Sequence, residues 1–381
     1  MLKTILRAPG DNFTFSLFTA LLSNIKSDYE AYYIWTCPPD RFTRFFEKTT
    51  FTKPLVILGI KDLLDMWGSF NYWKDTIQLG SQLLIDVAAR YPDSNFIIFT
   101  SNEHLNKEIN VPNIHIVNWG GDITNHSRVY PNLLPVIDKN FNSTKPFISL
   151  NRNSRLHRIL LLSYLFGNDY AKFGTCSLLS RDWFGNDELM DMLPWKFEDR
   201  HSDAKEKLII GYRQIYKNPA LCIDDYQIYQ NNNNDNVTNF KTKLRSRYVD
   251  SFVEFVTESS FASPAFMLTE KTLNSIYGCN FPILLSGVGA VAHLRELGFD
   301  MFDDVVDHSY DLLPNPIDRI IAAVDNNSRL ITDIQYIKEK WICATDRFLF
   351  NVSVAKDIYK LYNKRAHAQL NDLILKGNLN S

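Results

Sequence analysis

Acidic, basic and hydroxyl side chains occur in this sequence where the predicted secondary structure changes. Residues 269–271 read Thr-Glu-Lys at the predicted start of a helix, and Glu258 directly follows the apolar run Phe252–Thr257. The free N–H groups in the first turn of a helix attract phosphate, and Glu270 at that position can accept hydrogen bonds from the vicinal hydroxyls of a ribose. These residue types fit a nucleotide-binding site, whereas a threonine at a helix start is more often a plain N-cap of a core helix.

Three arginines follow a second predicted strand, Phe147–Leu150. Arg152, Arg155 and Arg158 lie in the loop and the first turn of a helix that ends at Gly167. Cations at a helix N-terminus oppose the helix dipole and cost about a few tenths of a kcal/mol each. Two explanations stay open: a solubilising surface, or a clamp for an anionic diphosphate, which guanidinium groups bind well.

The elements that must position these residues alternate between strands and helices. Short apolar runs bounded by turn residues predict strands at Leu55–Ile60, Asn95–Ser101, Ile114–Trp119, Phe147–Leu150, Phe252–Thr257 and Phe281–Leu285. Apolar residues at helical spacing predict helices near residues 15–25, 79–90, 159–167, 269–278, 291–297, 314–326, 331–341 and 354–375. This alternation predicts an α/β fold with parallel sheets, whose ligand sites lie at the carboxyl ends of the strands. Residues 180–250 are less regular, and Tyr229–Asn239 predict a mobile polar loop.

Length and composition limit the class of protein. The chain has 381 residues, 45% of them hydrophobic, which predicts two domains at 1–140 and 141–350 with a C-terminal helix at 351–381. The net charge of -2 provides no general field that would attract nucleic acid or an acidic membrane. The five cysteines are widely spaced, which disfavours a zinc site or a disulfide framework and suggests a cytoplasmic location. We expect neither a signal peptide nor a transmembrane segment.

Common nucleotide and hydrolase motifs are absent from the sequence. It contains no GxGxxG, GxxxxGK[ST], HExxH or GxSxG. An Asp-x-Asp pair that would hold a metal against a nucleotide sugar is also missing, since Asp303 and Asp304 are adjacent. We therefore expect no metal and no cofactor, with arginine and lysine neutralising a diphosphate instead.

The order of residues after 252 resembles the C-terminal donor-binding motif of the α-1,3-fucosyltransferase family. Glu258-Ser259-Ser260 corresponds to the family's Glu-Asn-Ser, with Ser259 in place of the asparagine, and the Thr269-Glu270-Lys271 triplet, Asn274, Pro282 and Gly287 match the rest. The motif order extends over about residues 95–325, and the specific part is 252–290. Exostosin-like transferases share the layout more loosely, so the resemblance does not specify fucose.

The resemblance implies a GT-B glycosyltransferase, in which two Rossmann-like domains face each other across a cleft. It implies an enzyme that moves a sugar from a nucleoside-diphosphate donor to an acceptor hydroxyl, with a nucleotide sugar as co-substrate. The residues that would bind the nucleotide sugar are Arg152, Arg155, Arg158, Glu258, Ser260, Thr269, Glu270, Lys271 and Asn274.

An inverting transfer also needs a carboxylate that takes the proton of the acceptor hydroxyl. Glu103 follows the strand Asn95–Ser101 in a Thr-Ser-Asn-Glu segment similar to the strand-Thr-Gly-Glu segment of fucosyltransferases, with one extra residue. An exposed loop glutamate is the simpler explanation for Glu103, and Asp122 after the next strand is the substitute candidate.

Two other functions fit the same sequence. A phage-type transferase acting on hydroxymethylated bases in DNA would use the basic side chains Lys356, Lys360, Lys364 and Arg365 of the last predicted helix to bind the backbone. Such a charged face is usually only solvated. The third alternative is an inactive sugar-binding or structural protein with the same fold.

Overall fold

The computed structural model describes residues 2–6, 22, 29–34, 45–60, 75–100, 109–118, 132–151, 155–178, 202–217, 244–258, 261 and 269–375. The chain divides into two compact units. The first unit combines Met1–Val129 with Ala262–Thr269 and Lys356–Ser381, and the second combines Tyr130–Phe261 with Glu270–Ala355. The ranges 1–140, 141–350 and 351–381 stay a prediction of the domain organisation.

The first unit contains a parallel sheet. Its described strands are β1 Leu2–Leu6, β2 Tyr29–Ile34, β3 Leu55–Ile60, β4 Asn95–Thr100 and β5 Ile114–Asn118. They pair in sequence order, each parallel to the next. The bounds of β3, β4 and β5 agree with the sequence prediction to within one residue, because each is an apolar run closed by turn residues.

Strands β1 and β2 were not predicted. In β2, Glu30 interrupts the apolar pattern, although its side chain is buried. Its carboxylate accepts hydrogen bonds from the backbone N–H of Thr52 at 2.7 Å and from the Tyr32 hydroxyl at 2.6 Å. These partners satisfy the buried carboxylate, so a residue that suggests a surface position lies inside the sheet.

Helical residues cover both faces of this sheet. Helix α1, Asp75–Arg90, places Leu84, Val87 and Ala88 in one core cluster with Phe96 and Ile98 of β4. On the other face, Ala366 and Leu370 of the last helix pack in a cluster with residues of β3 and β4. The helix predicted near residues 15–25 falls outside the described residues except for Leu22, which is helical and buried.

The second unit contains a second parallel sheet. Its described strands are β6 Phe147–Asn151, β7 Gly174–Leu178, β8 Val253–Thr257 and β9 Phe281–Leu285, in the spatial order β7-β6-β8-β9. All of the pairings are parallel. Strand β7 was not predicted, because its sequence GTCSL carries small side chains. The predicted mixed α/β fold with parallel sheets is confirmed.

Helices of several lengths surround the second sheet. They are α2 Leu156–Gly167, α3 Ser202–Lys217, α4 Arg245–Val249, α5 Glu270–Gly278, α6 Ala290–Glu296, α7 Pro316–Asp325, α8 Ser328–Thr332 and α9 Ile334–Cys343. The last helix, α10 Thr345–Leu375, belongs to the second unit up to Ala355 and to the first unit beyond it.

Residues 180–250, which the sequence describes only as less regular, contain α3, and α3 packs against α2 at glycines: a Cβ atom on Gly211 would lie 1.8 Å from the Ser163 carbonyl oxygen. The predicted start of the last helix at Val354 was wrong, because buried Phe348 and Val352 extend the apolar stripe back toward Thr345. The predicted polar loop Tyr229–Asn239 lies outside the described residues.

Among the helices that the structure describes, none is both long enough and apolar enough to span a membrane.

Candidate functional site

The carboxyl edge of the second sheet brings together the charged side chains that the sequence analysis selected. Strand β8 ends at Thr257, directly before Glu258, and helices α2 and α5 begin within two residues of Arg155 and Thr269. Because the strands are parallel, their carboxyl ends lie at one edge of the sheet. We call Arg155, Arg158, Glu258, Glu270 and Lys271 the carboxyl-edge cluster.

Glu258 is the buried anchor of the cluster. Its side chain is 0% exposed, and one carboxylate oxygen accepts a hydrogen bond from the Thr272 hydroxyl at 2.5 Å. The other carboxylate oxygen lies 4.0 Å from the Lys271 ammonium. Its backbone N–H donates to the Leu285 carbonyl at 3.0 Å, which continues the pairing of β8 with β9. Glu258 therefore holds the first turn of α5 against the sheet edge.

Glu270 and Lys271 form the outer part of the cluster. The Lys271 ammonium lies 3.0 Å from the Glu270 carboxylate. The Lys271 side chain is 22% exposed and the Glu270 side chain is 26% exposed. Both side chains are therefore partly accessible at the surface. A cation and a carboxylate at a helix start suit a phosphate with an adjacent sugar hydroxyl.

Arg158 contributes positive charge from below the surface. It is 2% exposed, and one of its terminal nitrogens donates to the Thr257 carbonyl at 3.1 Å. Burial and the neighbouring Arg155 lower the pKa of Arg158 to about 9, while Glu258 and Glu270 oppose that shift. The guanidinium is thus charged at neutral pH. Arg155, half-buried at the N-cap of α2, makes no side-chain cap hydrogen bond there.

His157 was not selected from the sequence, although it lies between the two arginines. Burial lowers its pKa well below the usual range, so the ring is neutral, and its Nε2–H donates to the Glu258 carbonyl at 3.0 Å. Its ring stacks on Phe261, with centroids 5.1 Å apart. His157 therefore fixes the backbone of Glu258, whose carboxylate contacts Thr272 of α5.

Arg319 of α7 was also missed. It is 2% exposed, donates to the carbonyls of Phe261 and Leu313, and places its guanidinium 4.5 Å from the centre of the Phe261 ring. Three buried side chains thus hold the end of β8 and the residues that follow it. Arg158 binds the Thr257 carbonyl, His157 binds the Glu258 carbonyl and Arg319 binds the Phe261 carbonyl. The only sequence signal for Arg319 is a charge within the apolar run of α7.

A buried polar layer lies beneath the cluster. The Thr257 hydroxyl donates to the side-chain oxygen of Asn151 at 2.7 Å, and the Asn151 amide donates to the Ser149 hydroxyl at 3.1 Å. These contacts join β6 to β8 near the carboxyl edge. They fix the two strand ends that precede the arginines and Glu258.

The start of α6 is already occupied by a carboxylate. Asp311 accepts hydrogen bonds from the backbone N–H groups of Val291 at 3.1 Å and Ala292 at 3.4 Å. Gly289 caps this helix with a left-handed φ of 80°. Burial raises the pKa of Asp311, but those backbone bonds counter the effect. A ligand phosphate would have to displace Asp311, so the Gly287–Gly289 turn does not form part of the site.

The other predicted residues have different positions. Thr269 and Asn274 are 2% and 7% exposed, so neither presents much surface to a ligand. Arg152, Ser260, Glu103 and Asp122 lie outside the described residues. Lys356, Lys360, Lys364 and Arg365 are exposed on α10, where Lys360 pairs with Asp357 at 2.7 Å.

Within the described part of the chain, no three histidine, cysteine or acidic side chains are grouped so that they could hold a metal ion. Comparisons with protein-family models, with curated proteins and with solved structures found no match to this chain. The function is therefore argued from the carboxyl-edge cluster.

Proposed function

We propose that this chain is a glycosyltransferase that moves a sugar from a nucleoside-diphosphate donor to an acceptor hydroxyl. The observation that supports the proposal is the carboxyl-edge cluster. A partly exposed lysine and carboxylate stand at the start of α5, 3.0 Å apart, above a buried Arg158 and a buried Glu258. Ligands of open α/β sheets bind outside the carboxyl ends of the strands, which is where this cluster lies.

In the proposed reaction the diphosphate is the leaving group, and its negative charge grows as the bond to the sugar breaks. Lys271 and Arg155 would contact the phosphates, and buried Arg158 would add positive potential. Glu270 would accept hydrogen bonds from the ribose hydroxyls. Fixed cations in these positions would do the work that a divalent metal does in other transferases.

The proposal assigns acceptor binding to the first unit and donor binding to the second. The base that takes the acceptor proton would then come from the first unit, with Glu103 as the first candidate and Asp122 as the second. We propose that the transfer inverts the anomeric centre and that the enzyme works in the cytoplasm.

A thermal-shift screen with nucleotide sugars and free nucleoside diphosphates tests the proposal. A ligand present at 100 times its dissociation constant stabilises the native state by about 2.7 kcal/mol. We expect at least one nucleotide sugar to raise the unfolding midpoint. No shift with any nucleotide would contradict the proposal.

Two variants link such a shift to the carboxyl-edge cluster. Lys271→Met keeps the length and apolar part of the side chain and removes the charge, so nucleotide affinity should fall about 10-fold or more. Lys172→Met is the matched control, because Lys172 is an exposed lysine of the same unit that pairs with Asp169. Equal affinities for the two variants would exclude Lys271 from the nucleotide site.

The DNA-directed alternative predicts a different partner for the same enzyme. In that case duplex DNA should bind with an affinity that falls steeply with salt, because several phosphate contacts release counterions. A nucleotide-dependent shift without salt-sensitive DNA binding would favour a glycan or other small acceptor.

A further inference from the structure

The ammonium group of Lys139 lies inside the second unit and is surrounded by oxygen atoms. Its Nζ donates to the carbonyls of Tyr248 at 2.7 Å, Ser251 at 2.8 Å and Gly278 at 2.7 Å. A fourth oxygen, the side-chain oxygen of Asn280, lies at 2.5 Å. Lys139 is 7% exposed, so water does not provide these contacts.

These oxygens solvate the Lys139 ammonium, which has no carboxylate among its hydrogen-bond partners, and burial lowers the pKa of Lys139 to about 7. The acidic groups nearest to it have other partners: Asp138 pairs with Arg245 at 2.9 Å, and Glu254 accepts from the Tyr248 hydroxyl at 2.9 Å. The remaining titratable neighbour is the buried Cys279 thiol, whose pKa is raised by burial to about 11, so it is neutral.

Aromatic rings and helix ends complete the surroundings. The Phe252 and Trp341 ring centres lie 5.9 and 5.8 Å from the ammonium, within the range of a cation–π interaction. Tyr248 and Gly278 belong to the last turns of α4 and α5, at the negative ends of the two helix dipoles. Two helix ends thus point carbonyl oxygens at one cation.

The Asn280 oxygen is oriented by bonds on the other side of its amide. The amide nitrogen donates to the Ser251 hydroxyl at 2.9 Å and to the Val253 carbonyl at 3.4 Å. This arrangement directs the amide oxygen, and not the nitrogen, toward Lys139. The four oxygens are therefore preorganised by the surrounding backbone.

A lysine ammonium has three N–H donors, whereas the site offers four oxygens. A shell made only of carbonyl-type oxygens is the environment in which proteins bind potassium or ammonium ions. We propose that these four oxygens form a monovalent-cation site that the chain fills with its own lysine. The bound cation joins the segment before β6 to the ends of α4 and α5 and to the start of β9. This inference does not depend on the proposed function.

Emptying the site by mutation tests the proposal. Lys139→Ala leaves the oxygens and a space, and Lys139→Met fills the space without charge. At about pH 6, where the lysine is charged, both variants should unfold about 10 °C or more below the unaltered chain. Ammonium or potassium chloride should restore about half of that loss in Lys139→Ala, and tetramethylammonium chloride at equal ionic strength should not, because the ion is too large.

Lys139→Met provides the control for general salt effects, since its side chain occupies the space and no rescue is expected. Equal unfolding midpoints for Lys139→Ala in ammonium and tetramethylammonium chloride would overturn the proposal. Failure of Lys139→Ala to fold in either salt would overturn it as well, because the ion should replace the missing ammonium.

A measurement on the unaltered chain does not depend on folding of the variants. Acetylation of lysines followed by mass spectrometry should modify Lys139 at least about 10-fold more slowly than the exposed Lys172 or Lys356. Similar rates for Lys139 and these two lysines would show that the oxygen shell does not hold the ammonium, and would overturn the proposal.

Discussion

The two sheets differ in what their central strands bury. In the first sheet, β3 and β4 bury apolar side chains such as Ile57, Ile98 and Phe99. In the second sheet, β6 and β8 bury Asn151 and Thr257 at their carboxyl ends, with further polar residues along the strands. Buried polar side chains are thus more numerous in the second sheet than in the first, where Glu30 of β2 and Thr100 of β4 are buried.

Buried polar groups lower stability unless they are hydrogen-bonded, so their concentration in one sheet calls for an explanation. Asn151 and Thr257 bond to each other, and Glu258 next to them bonds to Thr272. These bonds fix the strand ends from which the carboxyl-edge cluster projects. The comparison indicates that hydrogen bonds between buried polar side chains fix the strand ends in the second sheet more than in the first.

The largest expected effects come from truncating matched phenylalanines in the two cores. Phe99→Ala in β4 and Phe255→Ala in β8 each remove a ring that is at most 1% exposed, and each should cost about 3 to 5 kcal/mol in chemical denaturation. Only Phe255→Ala should also weaken the nucleotide-induced thermal shift. Equal weakening in both variants would contradict the assignment of the nucleotide to the second sheet.

A smaller loss is expected when Arg319 is replaced. Arg319→Met removes the donor to the Phe261 and Leu313 carbonyls, and two unpaired buried acceptors should cost about 2 to 4 kcal/mol. Nucleotide affinity should fall too, because Arg319 fixes Phe261, which lies three residues after Glu258 of the carboxyl-edge cluster. Lys replaces one of the two hydrogen bonds, so urea denaturation of Arg319→Lys should give an intermediate value.

Buried Glu254 near the start of β8 predicts that the stability of the second unit depends on pH. Burial raises the pKa of Glu254 from 4.5 to about 8, against the hydrogen bond from the Tyr248 hydroxyl. Between those pH values the folded state holds a proton that the unfolded state has lost. Its stabilising contribution is complete below about pH 4.5 and is lost as the pH rises through about 8.

Glu254→Gln isolates this effect because it keeps the shape and removes the titration. Between about pH 6 and pH 8, the unfolding free energy of the unaltered chain should fall by about 2 kcal/mol relative to the variant. A constant difference across this range would show that the Glu254 carboxyl does not titrate there.

The smallest effect is expected on the exposed face of α10. Lys360→Ala breaks a surface pair with Asp357 in which both side chains are more than two-thirds exposed, so stability should change by less than about 0.5 kcal/mol. If duplex DNA binds the unaltered chain and Lys360→Ala weakens that binding, the result would favour a DNA-binding role for this face of α10. If the variant does not weaken it, the face is only solvated.

Elements with a continuous apolar pattern could be predicted from the sequence. Strands β3 and β9 have the predicted bounds, because runs such as LVILGI and FPILL are bounded by polar or turn residues. Strand β2 was missed because Glu30 interrupts its apolar pattern, and two of the partners that satisfy this carboxylate, Thr52 and Lys53, lie more than 20 residues away. A local pattern carries no information about such partners.

The candidate site was predictable to a similar degree. The strand-to-helix turns pointed to Arg155, Arg158, Glu258, Glu270 and Lys271, since their positions follow from local patterns. Arg319 and Lys139 could not be found in this way, because both bind backbone carbonyls from distant parts of the chain. Carbonyl oxygens exist at every residue, so no sequence motif marks them.

The position of α10 has a consequence for the order in which the protein is made. One face of the first sheet includes Ile57 and Phe99, and it is covered by Ala366 and Leu370 near the other end of the chain. A ribosome adds about 5 to 20 residues each second, so roughly a quarter of a minute or more separates the synthesis of β4 from that of its cover. During that interval the face exposes apolar side chains that a chaperone could bind, and the first unit finishes folding after the second has been synthesised.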